Sequence, residues 1–400
     1  MIGVKASVSQ VRFKSVIQAF QEAGISYDEN NPSAIIVWHD SLKEFDLFKS
    51  LNPWQVINRI PNMYVICRKA TLARIIHHIK PFFPNEFSFI PKTYILPYQR
   101  TEFCRAVNKG IKRHIVKPDN GSLGQGITIV EPKSQFMTDD SLYVAQEYIQ
   151  SCHINKHKFD LRIYVLIASV SPLEIYVYRD GVARFCSDEI GENTIFSQIT
   201  NVSLNKGNPE MEEMSTISKL VSDVLPLLNT DVSSIWEKID RVIVLTILAS
   251  YKYLKQAEQK QCPPIVYPRC FQILGFDILL DEMHNPHVLE VNYRPSLDYY
   301  QSRERRMKVG MIRDALRIAA PLQNVQSAVL SRKWSWEIDS WKNFMSQSIE
   351  LQASIKFAKE EAEKYGKFVK VYPSNGDSQV LFDKIMNTIS QLPLPIIPGI

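Results

Sequence analysis

The sequence predicts an α/β fold spread over two or three domains, since 400 residues exceed what one hydrophobic core usually serves. Three observations set the class. A helical pattern at the N-terminus runs into an apolar strand, a strand-rich stretch begins near residue 112, and two apolar strands at 271–292 stand between helical segments. Bulk properties agree: the chain is 45% hydrophobic and 22% charged, a globular balance that argues against wholesale disorder. Its net charge of +5 is too small to argue nucleic-acid binding, and no aromatic recognition motif or zinc-ligand spacing accompanies it.

Residues 10–24 carry apolar side chains at helical spacing (Val11, Val16, Ile17, Phe20) and end at Gly24, a C-capping glycine. AIIVWHD (34–40) is a β-branched apolar run closed by polar residues, the pattern of a buried strand. A loop with Pro53 and Pro61 leads to a helix over 69–78, and four prolines between 81 and 97 leave only KTYIL (92–96) extended. KRHIVKP and ITIVE read as a hairpin with an oversized glycine connection, DNGSLGQG. YVAQEYI, DLRIYVLIA, EIYVYR and ARFCS are further short β runs. Residues 210–261 look helical, and VIVLTILASYKYL is apolar nearly all round, as an interior helix is. CFQILGFDILLD and PHVLEVN return to strand, and 303–320 to helix. The tail beyond Pro321 is helix-like over 335–365 and ends in the proline-rich LPLPIIPGI. The longest apolar run, Val242 to Ala249, is far short of the roughly 20 residues that cross a bilayer, so no membrane association is expected. The N-terminus lacks the apolar core of a secretory signal, and six scattered cysteines without a CxxC pair fit a reducing compartment. Both point to a soluble intracellular protein.

Three constellations carry chemistry. Asp277 stands between apolar neighbours in GFDILLD, and LEVN places Glu290 and Asn292 two apart, on one face of a strand. The short LDEMHNPH connection folds these strands into a hairpin and brings Asp277 toward that face. Two carboxylates and an amide oxygen suit Mg²⁺ carrying phosphates; the bland alternative is edge-strand polarity facing water. In KFDLR, Lys158, Asp160 and Arg162 alternate with Phe159 and Leu161. Their charged face is either solvated or the wall of a pocket for phosphate or carboxylate. Lys117 ends an apolar strand ahead of Gly121, Gly124 and Gly126, whose backbone can approach phosphate oxygens. The GxxxxGK[ST] order of a Walker A loop is absent, and most glycine loops are only turns. Gln146, in VAQEYI, sits where a strand leaving one lobe could present backbone groups to an adenine edge.

Taken in order, nine stretches resemble the tubulin–tyrosine ligase-like family over residues 57–297, and its tubulin polyglutamylases most. They are NRIPNMYVICRKATL, FIPKTYILP, HIVKPDNGSLGQGI, AQEYI, KFDLRIYVLI, YRDGVARF, ITNVSLNK, GFDILLD and LEVNYRPSL. The resemblance implies an ATP-grasp fold with a small N-terminal α/β domain (1–65) and a central ATP-grasp domain (66–145). A C-terminal ATP-grasp domain with the metal site (146–322) and a helical C-terminal extension (323–400) complete it. It implies ATP and Mg²⁺ as cofactors, with Lys117 and Lys158 on the phosphates, Gly124 and Gly126 in the covering loop, and Gln146 with the Ile149 backbone framing adenine. Asp160 would lie near the ribose or in the network at the nucleotide edge, and Thr200 and Asn201 opposite the metal ligands Asp277, Glu290 and Asn292. Arg162 and Arg184, in GVARF, would meet the γ-phosphate and the acyl-phosphate formed from it.

The implied reaction is ATP-dependent ligation of a free amino acid onto glutamate side chains of acidic tubulin tails. Glutamate is the preferred amino acid, then glycine, then tyrosine. The implied location is the cytoplasm and cytoskeleton, with cilium, flagellum or basal body as specialised sites. RERRMKVGMIRDALR (303–317), with six basic and two acidic residues on a helix, is the expected docking face, or else only a solvated one. Two departures stand out. The family usually reads His-Leu-Thr-Asn where this chain has Gln198-Ile199-Thr200-Asn201, and Gln198 carries no proton or charge. Tyr293-Arg294 replaces a small or His-Ser pair before Pro-Ser, so Arg294 either meets an acidic substrate or packs on Tyr299 or Tyr300. These departures keep open a non-catalytic or weakly active microtubule-binding member, and a ligase for a non-tubulin protein.

Overall fold

Three β-sheets, each with its own strand pattern, organise the computed structural model of the chain. It describes residues 4–9, 11–29, 31–40, 47–121, 125–136, 139–191, 195–200, 218–320, 323–331 and 337–395. The N-terminal sheet is parallel, in the order β2 (Ser26–Asp28), β1 (Lys5–Ser9), β3 (Ile36–His39), β4 (Val56–Ile57). Helix α1 (Lys14–Glu22) joins β1 to β2 and buries Val16, Ala19 and Phe20; of the predicted stripe, Ile17 is half-buried and Val11 precedes the helix.

The second sheet is antiparallel, in the order β5 (Thr93–Leu96), β8 (Tyr143–Glu147), β6 (His114–Pro118), β7 (Thr128–Val130). The predicted β6–β7 hairpin is present, but β8 inserts on the other side of β6 and becomes a central strand. Side-chain alternation along β5 splits its neighbours between two helices. Ile95 packs with Ala70 and Ala73 of α2 (Lys69–Ile79), while Tyr94 and Leu96 pack with Phe103 and Val107 of α3 (Arg100–Lys109).

The third sheet holds seven strands. Its main path runs β12 (Ser218–Leu220), β11 (Leu173–Phe185), β10 (His157–Val170), β13 (Gln272–Leu280), β14 (Pro286–Asn292). β9 (His153–Ile154) pairs with β10, and β15 (Phe368–Tyr372) with β11. EIYVYR and ARFCS are therefore not two short runs: they belong to one strand of 13 residues, continuous through Gly181. Along β10, Phe159, Leu161, Ile163 and Val165 enter the core that contains α4 (Val232–Gln261). The other face begins as Lys158, Asp160 and Arg162 and continues as Tyr164, Leu166 and Ala168 in the core of α5 (Ser302–Ala319). A charged pocket thus grades into a packed core along one strand face.

The stretch read as helix over 210–261 is helical at Val221–Val224 and in α4, but Ser218–Leu220 is strand, and 201–217 lie outside the described residues. In the tail, β15 joins the main sheet, helix Ile349–Tyr365 packs on β15 and on helix Ile338–Gln347, and helix Asp377–Gln391 packs on α4. Trp341 is fully buried with its ring centroid 6.3 Å from that of Trp54; Trp334 and Trp336 lie outside the described residues. All six cysteines are free, and no described helix is long and apolar enough to cross a membrane.

Candidate active site

Neighbouring strands bring charged residues of the third sheet into register. Asp160 of β10 faces Arg184 of β11, Arg162 of β10 faces Asp277 of β13, and Asp277 faces Glu290 of β14. Arg162 donates from Nε to Asp277 Oδ1 at 2.5 Å and from Nη2 to Oδ2 at 3.0 Å. Arg184 grips Asp160 at 2.7 and 2.5 Å and reaches Asp277 Oδ2 at 2.9 Å. Two guanidiniums and two carboxylates form one quartet. Gly275 leaves room for it: a Cβ there would lie 2.9 Å from Arg162 Cδ and 2.7 Å from Pro295 Cβ. Burial opposes ionisation of Asp277, yet Arg162 and Arg184 hold its carboxyl far below the usual range. Burial pushes Asp160 up, and its bond with Arg184 only partly counters that.

Asn292 links the three predicted metal ligands. Its Nδ2 donates to Asp277 Oδ2 and to Glu290 Oε1, at 3.3 Å each. Like charges directly across a strand pair repel, so an Asp277–Glu290 pairing calls for cations nearby. Arg162 and Arg184 supply them on one side, and Lys69 on the other, 3.1 Å from Glu290 Oε2. Among the described residues no three His, Cys, Asp or Glu side chains are arranged for a metal. With Nδ2 on both carboxylates and the Gly275 carbonyl, the Asn292 amide would have to turn over for its oxygen to join them as a ligand. Two carboxylates and an amide converging from paired strands are hard oxygen ligands that fit Mg²⁺.

The second sheet supplies the opposite wall. Lys117 Nζ donates to Gln146 Oε1 at 3.2 Å, and Gln146 Nε2 donates to Thr93 Oγ1 at 3.1 Å. Gly126 takes a left-handed φ of +69°, and a Cβ there would meet Pro118 Cγ at 2.8 Å, so this turn of the glycine loop requires glycine. Burial lowers both Lys117 and Lys158 to about 8. The folded chain therefore binds these protons less readily than the unfolded one. Between about pH 8 and the ordinary lysine range near 10.5, this difference raises the stability of the ligand-free protein as pH rises. A phosphate ligand favours the charged lysines, so ATP binding at pH 8.5 is expected to take up protons. Titration calorimetry in two buffers of different ionisation enthalpy measures this; identical heats would contradict it.

Two cavities meet at these walls. The first is lined by Lys117, Gln146 and Ile149 from one side and by Lys158, Asp160, Arg184, Asp277 and Glu290 from the other. Thr200 closes one end and bonds Asp160. The second, about 1000 Å³, contains Arg162, Asn292, Arg294 and Lys308. Lys69, Gly121, Arg184 and Glu290 line both. Of the predicted residues, Gly124 and Asn201 lie outside those described, and Gly126 lines neither cavity. Arg294 donates to the Asp40 backbone carbonyl at the edge of the second cavity, a partner its sequence context did not suggest.

Sequence reasoning missed Lys69. It opens α2, where a cation opposes the helix dipole. Asp119 compensates by accepting from Ala70 N at 2.8 Å and Arg68 Nε at 2.7 Å. Lys69 Nζ also donates to the Gly121 carbonyl at 3.2 Å, tying the glycine loop to β14. Two adjacent cations at a helix start were the available signal.

Comparison with known proteins places this cleft in a family context. The model of the "Tubulin-tyrosine ligase family" matches residues 48–328. Human "Tubulin polyglutamylase TTLL11" is 36% identical over 330 residues, which is 72% of this chain and 46% of that protein. Human "Tubulin polyglutamylase TTLL7" is 32% identical over 340 residues, 79% of this chain and 38% of that protein. A "Probable beta-tubulin polyglutamylase" of Tetrahymena thermophila is 29% identical over 392 residues, 90% of this chain and 33% of that protein. The chain thus spans a third to a half of the length of these relatives.

Proposed function

The chain belongs to the tubulin-tyrosine ligase family, and on that premise we propose that it is an ATP- and Mg²⁺-dependent carboxylate–amine ligase that adds glutamate to glutamate side chains of tubulin tails. The observation that carries this reading is the meeting of two cavities at Lys69, Arg184 and Glu290. One holds lysines and a glycine loop suited to a nucleotide. The other is wide and rich in cations, suited to acidic reactants. The naming of the relatives as tubulin polyglutamylases supports glutamate and tubulin as the reactants.

In this reading Asp277, Glu290 and Asn292 hold the metal, and Lys117 and Lys158 hold phosphates, with Gln146 and the Ile149 backbone at the adenine. When bound, ATP would supply a γ-phosphoryl group to the acceptor carboxylate with release of ADP, and the incoming amine would then displace phosphate to form the amide, with Mg²⁺ offsetting phosphoryl charge. Arg184 lines both cavities and Arg162 the second, which supports a role for both guanidiniums in offsetting phosphoryl charge. No described side chain need act as a covalent nucleophile. Residues 1–65, 66–145, 146–322 and 323–400 are the proposed functional units. The proposed setting is cytoplasmic and microtubule-associated, with cilium, flagellum or basal body as specialised sites. Mass spectrometry of tubulin tails after incubation with ATP, Mg²⁺ and mixed amino acids tests this; unmodified tails, or tails carrying glycine alone, would overturn it.

The docking face on α5 is narrower than its sequence suggested. Lys308 is buried with Glu304, Arg303 pairs with Asp223, and Arg313 pairs with Asp314 and Glu22. Arg305 and Arg306 are exposed. Reversing both to glutamate is expected to weaken microtubule binding about tenfold at low salt and little at high salt. Co-sedimentation across a salt series measures this, and unchanged low-salt binding would remove the helix from the docking surface.

A further inference from the structure

Tyr148, just after β8, stands between two cations, Lys158 and Arg113. Lys158 Nζ donates to its hydroxyl at 2.8 Å and lies 4.2 Å from its ring centroid. The Arg113 guanidinium lies 4.5 Å from the same centroid and donates to Gln198 Oε1 at 3.4 Å. The Tyr148 hydroxyl donates to the Gln198 carbonyl at 3.4 Å, and Tyr148 N donates to the Arg113 carbonyl at 2.9 Å. Ring, hydroxyl and backbone are all held.

We propose that Tyr148 is a positioning residue for Lys158, with Arg113 and Gln198 clamping its ring. This rests on the reading of Lys158 as a ligand of nucleotide phosphates. A lysine carries its charge on a flexible four-carbon stem, and fixing that stem before the ligand arrives reduces the ordering required on binding. Among the described contacts of Lys158 Nζ, the phenol is the hydrogen-bond acceptor, and the π face adds a second attraction for the ammonium. Burial pushes the Tyr148 phenol up to about 12, so it keeps its proton and can donate to Gln198 while accepting from Lys158. The charged or titratable groups facing Lys158 are Asp160, Cys186, Arg113, Lys117 and His153.

This arrangement also gives Gln198 a definite place. Its amide oxygen accepts from Arg113 at any pH, whereas a protonated imidazole there would repel the guanidinium. Position 198 then acts through the clamp and has no need to carry a proton.

The test compares MgATP and adenosine binding to the full chain by titration calorimetry from pH 6 to 9. Lys158→Ala is expected to lose most MgATP affinity. Tyr148→Phe, which keeps the ring, is expected to bind MgATP about tenfold more weakly while binding adenosine as the parent does. Its MgATP affinity should also begin to fall at a lower pH than in the parent, because the ammonium has lost its acceptor. Wild-type affinity and pH profile in Tyr148→Phe, alongside a defective Lys158→Ala, would overturn the positioning role alone. Full MgATP affinity in Lys158→Ala would overturn the phosphate reading and this inference with it. Should Tyr148→Phe fail to fold by thermal melting, Arg113→Gln decides: weaker MgATP binding is expected, and unchanged binding overturns the clamp.

Discussion

Glu290→Gln is expected to reduce the proposed MgATP-dependent transfer at least about 100-fold without unfolding the protein. Glutamine preserves the size of the side chain and one carbonyl oxygen. It removes a negative charge from a set that has only two, Asp277 and Glu290, with Asn292 neutral. It also weakens the tie to Lys69, 3.1 Å from the carboxylate, and through Lys69 the tie to the Gly121 carbonyl. Folding should be spared because the lost charge lies across a strand pair from another carboxylate, so its removal relieves repulsion. The readouts are mass spectrometry of tubulin tails and the Mg²⁺ concentration for half-maximal activity, which should rise. Full activity at the parent's Mg²⁺ requirement would sink the metal assignment.

Arg184→Met is expected to destabilise the fold by about 3–5 kcal/mol, independently of any effect on chemistry. The side chain grips Asp160 with two hydrogen bonds and Asp277 with a third, and the Asp160 and Asp277 side chains are only 3% and 5% exposed. Deleting the cation leaves Asp160 as a buried carboxylate without its fork, whereas Asp277 keeps Arg162. Arg184→Lys should recover only part of the loss, because an ammonium cannot reproduce the bidentate geometry. Removing both partners, in Arg184→Met with Asp160→Leu, should recover more. The pH dependence has a definite sign. Burial already raises Asp160, and losing Arg184 raises it further, so the folded variant binds a proton that the unfolded chain releases. The deficit of Arg184→Met should therefore narrow as pH falls through that raised value. Urea denaturation at pH 7.5 and 5.5 measures it, and a loss under about 1 kcal/mol at pH 7.5 would show that the quartet contributes little to folding.

Short-range patterns were the legible part. The hairpin that carries Asp277, Glu290 and Asn292 could be read because a two-residue period and a short connection leave it few other ways to fold. KFDLR showed its charged face for the same reason, although only the neighbours of β10 decided that the face was a pocket wall. The long β11 was read as two runs because Gly181 looks like a break, while the pairing of β10 with β11 carries the strand through it. The resemblance supplied Ile149, Arg184 and Thr200, which have no strong local pattern of their own, and added weight to Gln146, whose strand context alone said little. Lys69 went unread because its partners, Gly121 and Glu290, lie far along the chain.

By itself, then, the sequence determined which residues carry charge into apolar strands, and that two carboxylates and an amide share one face. Those facts depend on periodicity and on connections a few residues long. Tertiary structure alone decided what each charge meets: Arg184 with both Asp160 and Asp277, Lys69 with Glu290, Lys158 with Tyr148, and β15 beside β11. The physical reason is the same throughout. A buried charge is stable only beside a partner, and here the partner is delivered by strand register or by a helix distant in sequence, which no local pattern encodes.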